Sequence, residues 1–299
     1  MTNETEKIAS THLGKKSIGS ETYNPELLVA IPRKENRTQY KIDEQNLPFD
    51  GLDVWHAYEF SVLTNNGLPI TRVLKIKYNC NSKFLAESKS LKLYLNSFNM
   101  TKFGENPQEC LSACKSLIEK DLSNVLQTQV SVEYLDDNST RVELFEGYKN
   151  LYDCIDINQI IIKSYKETPE VLKIIKTEQT KEYKLKFNSL RSNCRVTHQP
   201  DFGDVFIYYR SQNHILEDSL VKYLTSFRTE FHFHEECCEM IYKRLYDLLD
   251  TDDCLFVCTL YTRRGGIDIN PIRYSHNFSI SDANALKDLK KYARNGIKQ

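Results

Sequence analysis

An internal repeat constrains the fold of this chain more than any other feature of its sequence. Ser90–Phe98 and Ser219–Phe227 align without a gap and are identical at six of nine positions. The predicted strands and helices follow the same order around both segments. Self-similarity at a fixed separation, here 129 residues, is typical of a duplicated structural unit. We therefore predict two related modules.

The first predicted module combines a strand hairpin with an amphipathic helix. Val54–Leu63 and Ile70–Asn79 have strand-like composition and are separated by an Asn-Asn-Gly-Leu-Pro cluster that favours a turn. A helix is predicted to start at Asn106, because a proline follows it and apolar residues then recur at helical spacing. Gln129–Leu135 and Arg141–Phe145 return to the alternation of a strand.

The second predicted module repeats this order. Tyr183–Phe187 and Val205–Tyr209 are predicted strands, a helix is predicted from about Glu235 to Leu249, and Cys254–Tyr261 is a predicted strand. Strands and helices that are segregated in this way favour an α+β fold.

Polar segments separate the predicted units. Residues 1–45 are polar and lack sustained periodicity, which predicts an extension that wraps around the fold or stays mobile. The polar stretch around Lys166–Lys181 favours a boundary between modules at 46–170 and 171–299.

Composition excludes several classes of protein. The 40 basic and 41 acidic residues leave a net charge of -1, so no global positive field is available to attract nucleic acid or a membrane surface. The polar N-terminus lacks the apolar stretch of a signal peptide. The nine cysteines are odd in number and lack paired C-x2-C spacing, which favours reduced thiols without structural zinc. We expect a cytoplasmic protein that binds no metal, membrane or nucleic acid directly.

A polar loop between two predicted strands carries candidate chemistry. Cys194 is followed by Arg195 and His198, and Asp201 lies seven residues after the cysteine. Nearby cations favour the thiolate form that a nucleophile requires. An inert structural thiol explains Cys194 as well, and the residues alone leave both interpretations open.

Three further segments suit a polar ligand. Glu87–Lys92 opens a predicted short helix and could hold a polar ring or a phosphate, although helix capping explains its serines equally well. His232 and His234 precede acidic residues that could also complement a helix dipole. Arg263–Gly266 places two cations before a flexible pair, which suits a phosphate or a charged turn. Because no G-x-G-x-x-G or P-loop pattern follows a strand, a nicotinamide cofactor would have to bind otherwise.

Together these segments resemble the long, two-module form of the 7-cyano-7-deazaguanine reductases, relatives of GTP cyclohydrolase I in the tunnelling-fold (T-fold) group. The most specific similarities are Glu87–Tyr94 and Cys194–Asp201, and the resemblance extends from Leu47 to Pro271. It implies two tandem T-fold modules, each an antiparallel sheet with two helices on one face. It also implies NADPH-dependent, four-electron reduction of a substrate nitrile to a primary amine in queuosine biosynthesis, with two NADPH per turnover.

The resemblance also implies roles for individual residues. Cys194 matches a nucleophile that adds to the nitrile of 7-cyano-7-deazaguanine (preQ0) and gives a thioimide, while Asp201 matches the proton donor. His234 and Glu235 match the pair that contacts substrate, and His234 is also counted as catalytic. The corner that reads the deazapurine is Ala86, Glu87 and Ser88, and the NADPH contacts are Ser88, Lys89, Arg264 and Gly265.

The candidate site is divided between the two copies of the repeat. Glu87 lies in the first module, whereas Phe233–Glu235 and Cys194 lie in the second, and the second-copy equivalent of Glu87 is Leu216. We therefore predict a site where two modules meet, within one chain or between chains. The resemblance also implies a homo-oligomer, preferentially a dimer, because T-folds close their sheets by association.

Two positions depart from the family pattern. His232 stands where the family usually has an acid, and Arg195 stands where an apolar residue or proline is usual. We expect Arg195 to lower the pKa of Cys194. Whether Cys194 forms a protective disulfide with Cys237 or Cys238 is a question that the sequence leaves open.

Two other functions remain as alternatives. A cyclohydrolase-like enzyme that uses Cys194 hydrolytically would want convergent zinc ligands, which the sequence does not offer. A non-catalytic module that binds tRNA or a purine is suggested by the 18 Tyr and 14 Phe available for stacking.

Overall fold

A computed structural model describes residues 20, 22–279 and 281–293. The strands in this part of the chain are β1 (Ala30–Pro32), β2 (Asp50–Leu63), β3 (Pro69–Asn79), β4 (Phe84–Ala86), β5 (Val130–Leu135), β6 (Thr140–Val142), β7 (Lys149–Asn150), β8 (Ile174–Asn193), β9 (Pro200–Ile215), β10 (Cys254–Tyr261), β11 (Ile267–Tyr274) and β12 (Lys291–Ala293). The helices are α1 (Lys34–Gln39), α2 (Ser88–Asn96), α3 (Pro107–Leu126), α4 (Glu217–Thr225), α5 (His234–Tyr246) and α6 (Ser281–Lys287).

One eight-stranded sheet runs through both halves of the chain, in the order β5-β3-β2-β11-β10-β9-β8-β7. The first half contributes β2, β3 and β5 and the two-residue edge strand β7, and the second half contributes β8 to β11. The halves join where β2 pairs antiparallel with β11 over eight residue pairs, from Ile267 opposite Ala57 to Tyr274 opposite Asp50. The predicted α+β class is confirmed, and the two repeats share a single continuous sheet.

Helices α2 to α5 cover one face of this sheet with two separate apolar cores, while α6 packs in a third cluster on the other face. In the first half, Trp55 and Leu74 of the sheet pack with Leu91 of α2 and Ile118 of α3. In the second half, a corresponding cluster includes sheet, α4 and α5 residues. Its members include Val205, Val257, Leu220 and Ile241. Alternating strands and amphipathic helices place these side chains inside because burial removes apolar surface from water.

The repeated segments form equivalent helices with different N-termini. Both α2 and α4 contain nine residues, and their ranges differ by the repeat length of 129 residues. Glu87 caps α2 by accepting hydrogen bonds from the Lys89 and Ser90 N–H groups. Leu216 occupies the same place in α4 and makes no capping hydrogen bond through its side chain. The two copies therefore share a backbone while only the first carries a carboxylate at this corner.

Two predicted strands differ from the structure. The strand predicted at Tyr183–Phe187 is the centre of the much longer β8, whose exposed first half is held extended by pairing with β9, as at Ile174 opposite Ile215. The strand predicted at Arg141–Phe145 ends at Val142. Phe145 has φ of +67°, which is incompatible with an extended strand, and its ring stacks on Phe206 instead.

The other predicted elements are found, most with small shifts, although β9 extends from the predicted Val205–Tyr209 to Pro200–Ile215. The β2–β3 hairpin, α3 behind its Asn106 cap, β5, β9 and β10 occupy the predicted regions. The helix predicted from Glu235 to Leu249 begins at His234 and ends at Tyr246. The 170/171 boundary falls inside a short 3-10 turn, Pro169–Val171, and the division into modules stays a prediction.

The N-terminal segment, defined as residues 22–45, is folded against the rest of the chain. Its strand β1 pairs antiparallel with β4, with Ala30 opposite Ala86. In and beside α1, the side chains of Arg33 and Arg37 are buried. This segment wraps around the fold, while residues 1–19 and 21 of the predicted extension lie outside the described residues. Among the described helices, none has the length and apolar character needed to cross a membrane.

Candidate active site

A cavity of about 370 Å³ opens where the two halves of the chain meet. Residues 86–92 of the first half form one wall, and second-half segments form the others. The cavity brings together within one chain every residue to which the resemblance assigned a role. These are Ala86, Glu87, Ser88, Lys89, Cys194, Asp201, His234, Glu235, Arg264 and Gly265.

The first-half wall is the corner between β4 and α2. The buried Glu87 carboxylate accepts hydrogen bonds from Lys89 N–H at 3.0 Å and Ser90 N–H at 2.7 Å. The Glu87 N–H donates to the carbonyl of Val29 in the N-terminal segment at 3.0 Å. Capping and wall formation are thus combined in one residue, because a carboxylate at a helix N-terminus satisfies otherwise unpaired N–H groups.

The cysteine lies in a tight turn between β8 and β9. The Cys194 N–H donates to the Gln199 carbonyl at 2.8 Å, and the Cys194 carbonyl accepts from His198 N–H at 3.0 Å. His198 has φ of +56°, a left-handed conformation that reverses the chain within six residues. Cys194 is a half-buried free thiol, and the turn places it among the residues that line the cavity.

Asp201, at the start of β9, is held between Arg264 and His234. Its carboxylate accepts a hydrogen bond from the Arg264 guanidinium and lies 3.3 Å from His234 Nε2. Burial raises the pKa of Asp201, but His234 and Arg264 outweigh burial and place that pKa below its ordinary value. Asp201 is therefore ionised in the absence of substrate, and it must take up a proton before it can donate one.

His234 is fixed at the first position of α5. Its ring stacks on Tyr261 with centroids 3.7 Å apart and an angle of 3° between the planes. Its Nε2 faces Asp201, while its buried Nδ1 has no hydrogen-bond partner in the described part of the chain. The ring is oriented by stacking, so a bound ligand can meet a nitrogen that is already positioned.

Glu235 has surroundings opposite to those of Asp201. It is 1% exposed, and its Oε1 has no hydrogen-bond partner among the described residues. Burial and the nearby charge of Asp53 raise its pKa to about 8, against the opposing effect of Arg33. Glu235 is therefore predominantly protonated near neutral pH, and a buried, incompletely bonded carboxyl is a good candidate for ligand contact.

The two departures from the family pattern contact each other beside the cavity. Arg195 Nη1 lies 3.3 Å from Glu236 Oε1, and its Nη2 lies 3.5 Å from His232 Nδ1. Burial lowers the pKa of His232, but hydrogen bonds to Glu230 and Glu236 raise it overall. The guanidinium charge of Arg195 is therefore paired with the Glu236 carboxylate.

A cationic rim at the cavity fits a phosphate-bearing cofactor. Lys89, Lys92 and Arg264 line the opening beside the N-terminus of α2, an arrangement that favours anions. Lys92 Nζ donates to the Gly265 carbonyl at 2.5 Å. A Cβ at Gly265, where φ is +56°, would lie 3.0 Å from Lys92 Nζ. Glycine thus keeps room for the ammonium group, and these residues fit NADPH.

Several lining residues were missing from the sequence prediction. Ile267 and Ile269 of β11 face the cavity; no strand was predicted there, although their i, i+2 spacing would place them on one face of a strand. Lys92 lies one turn after Ser88 on the predicted helix and could have been found by helical spacing. Gln199, which accepts a hydrogen bond from Arg264 at 2.8 Å, had no comparable signal.

The described residues form neither a metal-binding cluster nor a disulfide at the cavity. No group of three or more His, Cys, Asp or Glu side chains within 22–279 and 281–293 is arranged to hold a metal ion. Cys194 is a free thiol, and so are Cys237 and Cys238, which are fully buried in the helix-covered core.

Comparisons with known proteins match both halves of the chain. A family model described as "Nitrile reductase, 7-cyano-7-deazaguanine-reductase N-term" matches residues 20–134, and one described as "QueF-like protein" matches residues 200–279. An NADPH-dependent 7-cyano-7-deazaguanine reductase from Colwellia psychrerythraea is 38% identical over 277 residues. That alignment covers 89% of this chain and 94% of the relative.

Proposed function

The chain belongs to the 7-cyano-7-deazaguanine reductase family, and we propose that it reduces the nitrile of preQ0 to the primary amine with NADPH, through a thioimide on Cys194. The single observation that carries this proposal is the cavity between the two halves. It unites a free thiol, a carboxylate with a lowered pKa and a carboxyl with a raised pKa. Such a set can move a proton and form a covalent bond at one place.

Asp201 and Cys194 can activate the nitrile without an external acid. The ionised Asp201 accepts the thiol proton of Cys194, and the sulfur then attacks the nitrile carbon. One π bond of the nitrile breaks as the S–C bond forms, and the nitrogen takes the proton back from Asp201. The net change is addition of S–H across the C≡N bond, which produces the thioimide. His234 and Arg264 hold the Asp201 carboxylate for this transfer.

The deazapurine ring offers N–H groups that carboxylates recognise. Glu87 presents a carboxylate at the β4–α2 corner, and Glu235 with His234 presents polar atoms from the opposite wall. The unpaired Oε1 of Glu235 and Nδ1 of His234 would gain partners in a complex, which offsets the cost of their burial. These contacts support binding between the two halves.

NADPH would be held by Ser88, Lys89, Arg264 and Gly265 at the cationic rim. When bound it supplies hydride, once to the thioimide and once to the imine that remains after Cys194 departs. The chain's own groups exclude water, orient the ring and manage the protons. The rim thus supplies locally the positive charge that the nearly neutral chain lacks overall.

The architecture and biological setting are part of the same proposal. Each half joins strands of the shared sheet to two helices on the same face, which supports two tandem T-fold modules. The family implies formation of 7-aminomethyl-7-deazaguanine for tRNA queuosine and a homodimeric assembly. Free cysteines throughout the described chain support a reducing, cytoplasmic setting.

The decisive assay follows NADPH absorbance while preQ0 is titrated. The proposal predicts two NADPH oxidised per preQ0, and no oxidation by Cys194→Ala. Cys154→Ala is the matched control, because Cys154 is an exposed free thiol that does not line the cavity, and it should retain wild-type turnover. A folded wild-type protein that oxidises no NADPH with preQ0 would exclude the reductase function and turn attention to zinc content and tRNA binding.

A further inference from the structure

Five buried charged side chains form a cluster one helical turn from Glu235. Glu239 of α5 accepts from Arg37 Nε and Nη2 at 3.0 and 2.8 Å and from Arg273 Nη2 at 2.9 Å. Arg33 lies 3.6 Å from the same carboxylate and donates to Asp53, while Arg273 lies 2.9 Å from Asp53 Oδ1. None of the five is more than 2% exposed.

The cluster joins the N-terminal segment to both halves of the chain. Arg33 and Arg37 come from that segment, Asp53 comes from β2, and Glu239 and Arg273 come from α5 and β11. These residues are separated by up to 240 positions in the sequence. Since burying unpaired charges is costly, the cluster fixes the N-terminal segment against the junction that also contains the cavity.

The cluster carries one more positive charge than negative charge, so one further carboxylate would balance it. Three guanidinium groups meet two buried carboxylates, so one positive charge is not balanced inside. Glu44 reaches Arg37 only at 3.8 Å and is 34% exposed, so solvent screens that pair. Glu235 lies four residues before Glu239 and therefore on the same face of α5. Its ionised form would balance the cluster.

Charged and titratable groups face Glu235 from each element that packs around it. Burial and Asp53 of β2 raise the pKa of Glu235, while Arg33 of the N-terminal segment and Arg273 of β11 lower it. Tyr78 of β3 also interacts with Glu235, and burial raises the pKa of that tyrosine. Arg33 and Asp53 thus act on Glu235 with opposite signs although neither is among the cavity-lining residues.

We propose that Arg33 and Asp53 are positioning residues of the substrate site, and that their ion pair sets the charge that Glu235 presents to the bound deazapurine. The role of Glu235 in this inference rests on the proposed function. A Glu235 carboxylate accepts ring N–H groups, whereas a protonated carboxyl leaves one oxygen as a donor. Substrate binding through the carboxylate therefore releases a proton from Glu235. The N-terminal segment thus contributes to the substrate site, because its Arg33 influences the charge of Glu235.

Two substitutions with opposite expected effects test this inference. Arg33→Gln removes a cation and should move the titration of Glu235 to higher pH, whereas Asp53→Asn removes an anion and should move it to lower pH. The titration is followed in infrared difference spectra as the protonated carboxyl band that is absent from Glu235→Gln. Arg33→Lys keeps the charge and should stay close to wild type.

Affinity for preQ0 gives the second readout. Each unit by which the pKa of Glu235 rises further above the pH of the assay reduces the ionised fraction about ten-fold. The affinity for preQ0 bound through the carboxylate falls by the same factor. Near neutral pH, Arg33→Gln should therefore bind preQ0 about ten-fold more weakly, while Asp53→Asn should bind it more tightly. Calorimetry in buffers of different ionisation enthalpy should also show proton release on binding by the wild type.

The outcomes separate this inference from the proposed function. Shifts of the Glu235 titration in opposite directions in Arg33→Gln and Asp53→Asn support the inference. Equal or absent shifts in folded variants overturn it, because the cluster would then have only a structural role. If one variant does not fold by circular dichroism, the other decides alone, since each has its own predicted direction. Failure of the wild type to bind preQ0 would contradict the proposed function, while the infrared titration would still test the effect of the ion pair on Glu235.

Discussion

Asp201 and Glu235 line one cavity but are held in opposite charge states. His234 and Arg264 stabilise the Asp201 carboxylate against burial, whereas burial and Asp53 disfavour the Glu235 carboxylate. Pairs of acids whose surroundings move their pKa values apart are typical of acid–base sites. In the proposed reaction Asp201 starts as a proton acceptor, and Glu235 is the acid whose ionisation accompanies substrate binding.

The substrate-free Glu235→Gln variant is expected to become more stable than the wild type as pH rises. The folded protein holds the Glu235 proton up to about pH 8, whereas the unfolded chain releases it near the ordinary value of about 4.3. The stability associated with this proton is present below the unfolded pKa and is lost as pH rises through the folded pKa. Melting temperatures of the two proteins should therefore agree near pH 4 and diverge by a few degrees near pH 8. A constant difference across this range would contradict a raised pKa.

Asp201→Asn should reduce turnover by about 10²–10⁴-fold, the usual contribution of a general acid–base group. An amide can neither accept the Cys194 proton nor return it to the nitrile nitrogen. The measurement is kcat for NADPH oxidation with saturating preQ0. Asp218→Asn is the control, since that carboxylate pairs with Lys222 on α4, away from the proposed chemistry. Comparable losses in both variants would refute a specific role for Asp201.

Helix N-termini deliver Glu87 and Glu235 to the site, while Asp201 comes from the start of β9. Elements differ in how far neighbouring residues predict them. The start of α3 follows from neighbouring residues, because Asn106 caps the helix and Pro107 begins it. The Glu87 corner was equally visible as a local pattern. The length of β8 was not, because its exposed first residues become a strand only through pairing with the far end of β9, as at Ile174 opposite Ile215. Phe145 likewise leaves its predicted strand through a positive φ and a contact with Phe206.

Variants of Glu87, the cap of α2, can distinguish its contribution to protein stability from its contribution to preQ0 binding. Glu87→Ala removes the acceptor for two N–H groups and should cost about 1 kcal/mol of stability together with preQ0 affinity. Glu87→Gln retains an amide oxygen as a cap and should lose mainly affinity. Asn106→Ala, which uncaps α3, should cost similar stability while KM for preQ0 stays unchanged. Chemical denaturation and steady-state kinetics of the three variants check this, and an unchanged KM in both Glu87 variants would argue against substrate contact.

At the scale of the whole molecule, the site is assembled within one polypeptide. First-half residue Glu87 and second-half residue Cys194 line the same cavity. Mixing and refolding Glu87→Ala with Cys194→Ala should therefore restore no activity, since each chain keeps a defective cavity. Recovery of roughly a quarter of wild-type activity, the fraction expected from random pairing of a dimer with sites shared between chains, would contradict an intrachain site.

The sequence predicted the residues that line this cavity better than the buried charged cluster that lies behind them. Cys194, Asp201 and the Glu87 corner lie in short motifs, and the repeat predicted that the two halves would meet there. The N-terminal segment was predicted only as a polar extension, although Arg33 and Arg37 are buried in it. Nothing local in its sequence indicates that these cations meet Asp53, Glu239 and Arg273, because that cluster exists only after the distant segments pack together.

Intact-protein mass measurement after incubation with preQ0 and without NADPH examines the covalent step itself. The proposed addition of Cys194 across the nitrile predicts a gain of one whole preQ0 mass in the wild type, no gain in Cys194→Ala, and loss of the adduct when NADPH is added. A wild-type protein that oxidises NADPH with preQ0 but acquires no adduct, or a Cys194→Ala protein that still turns over, would contradict a thioimide on Cys194.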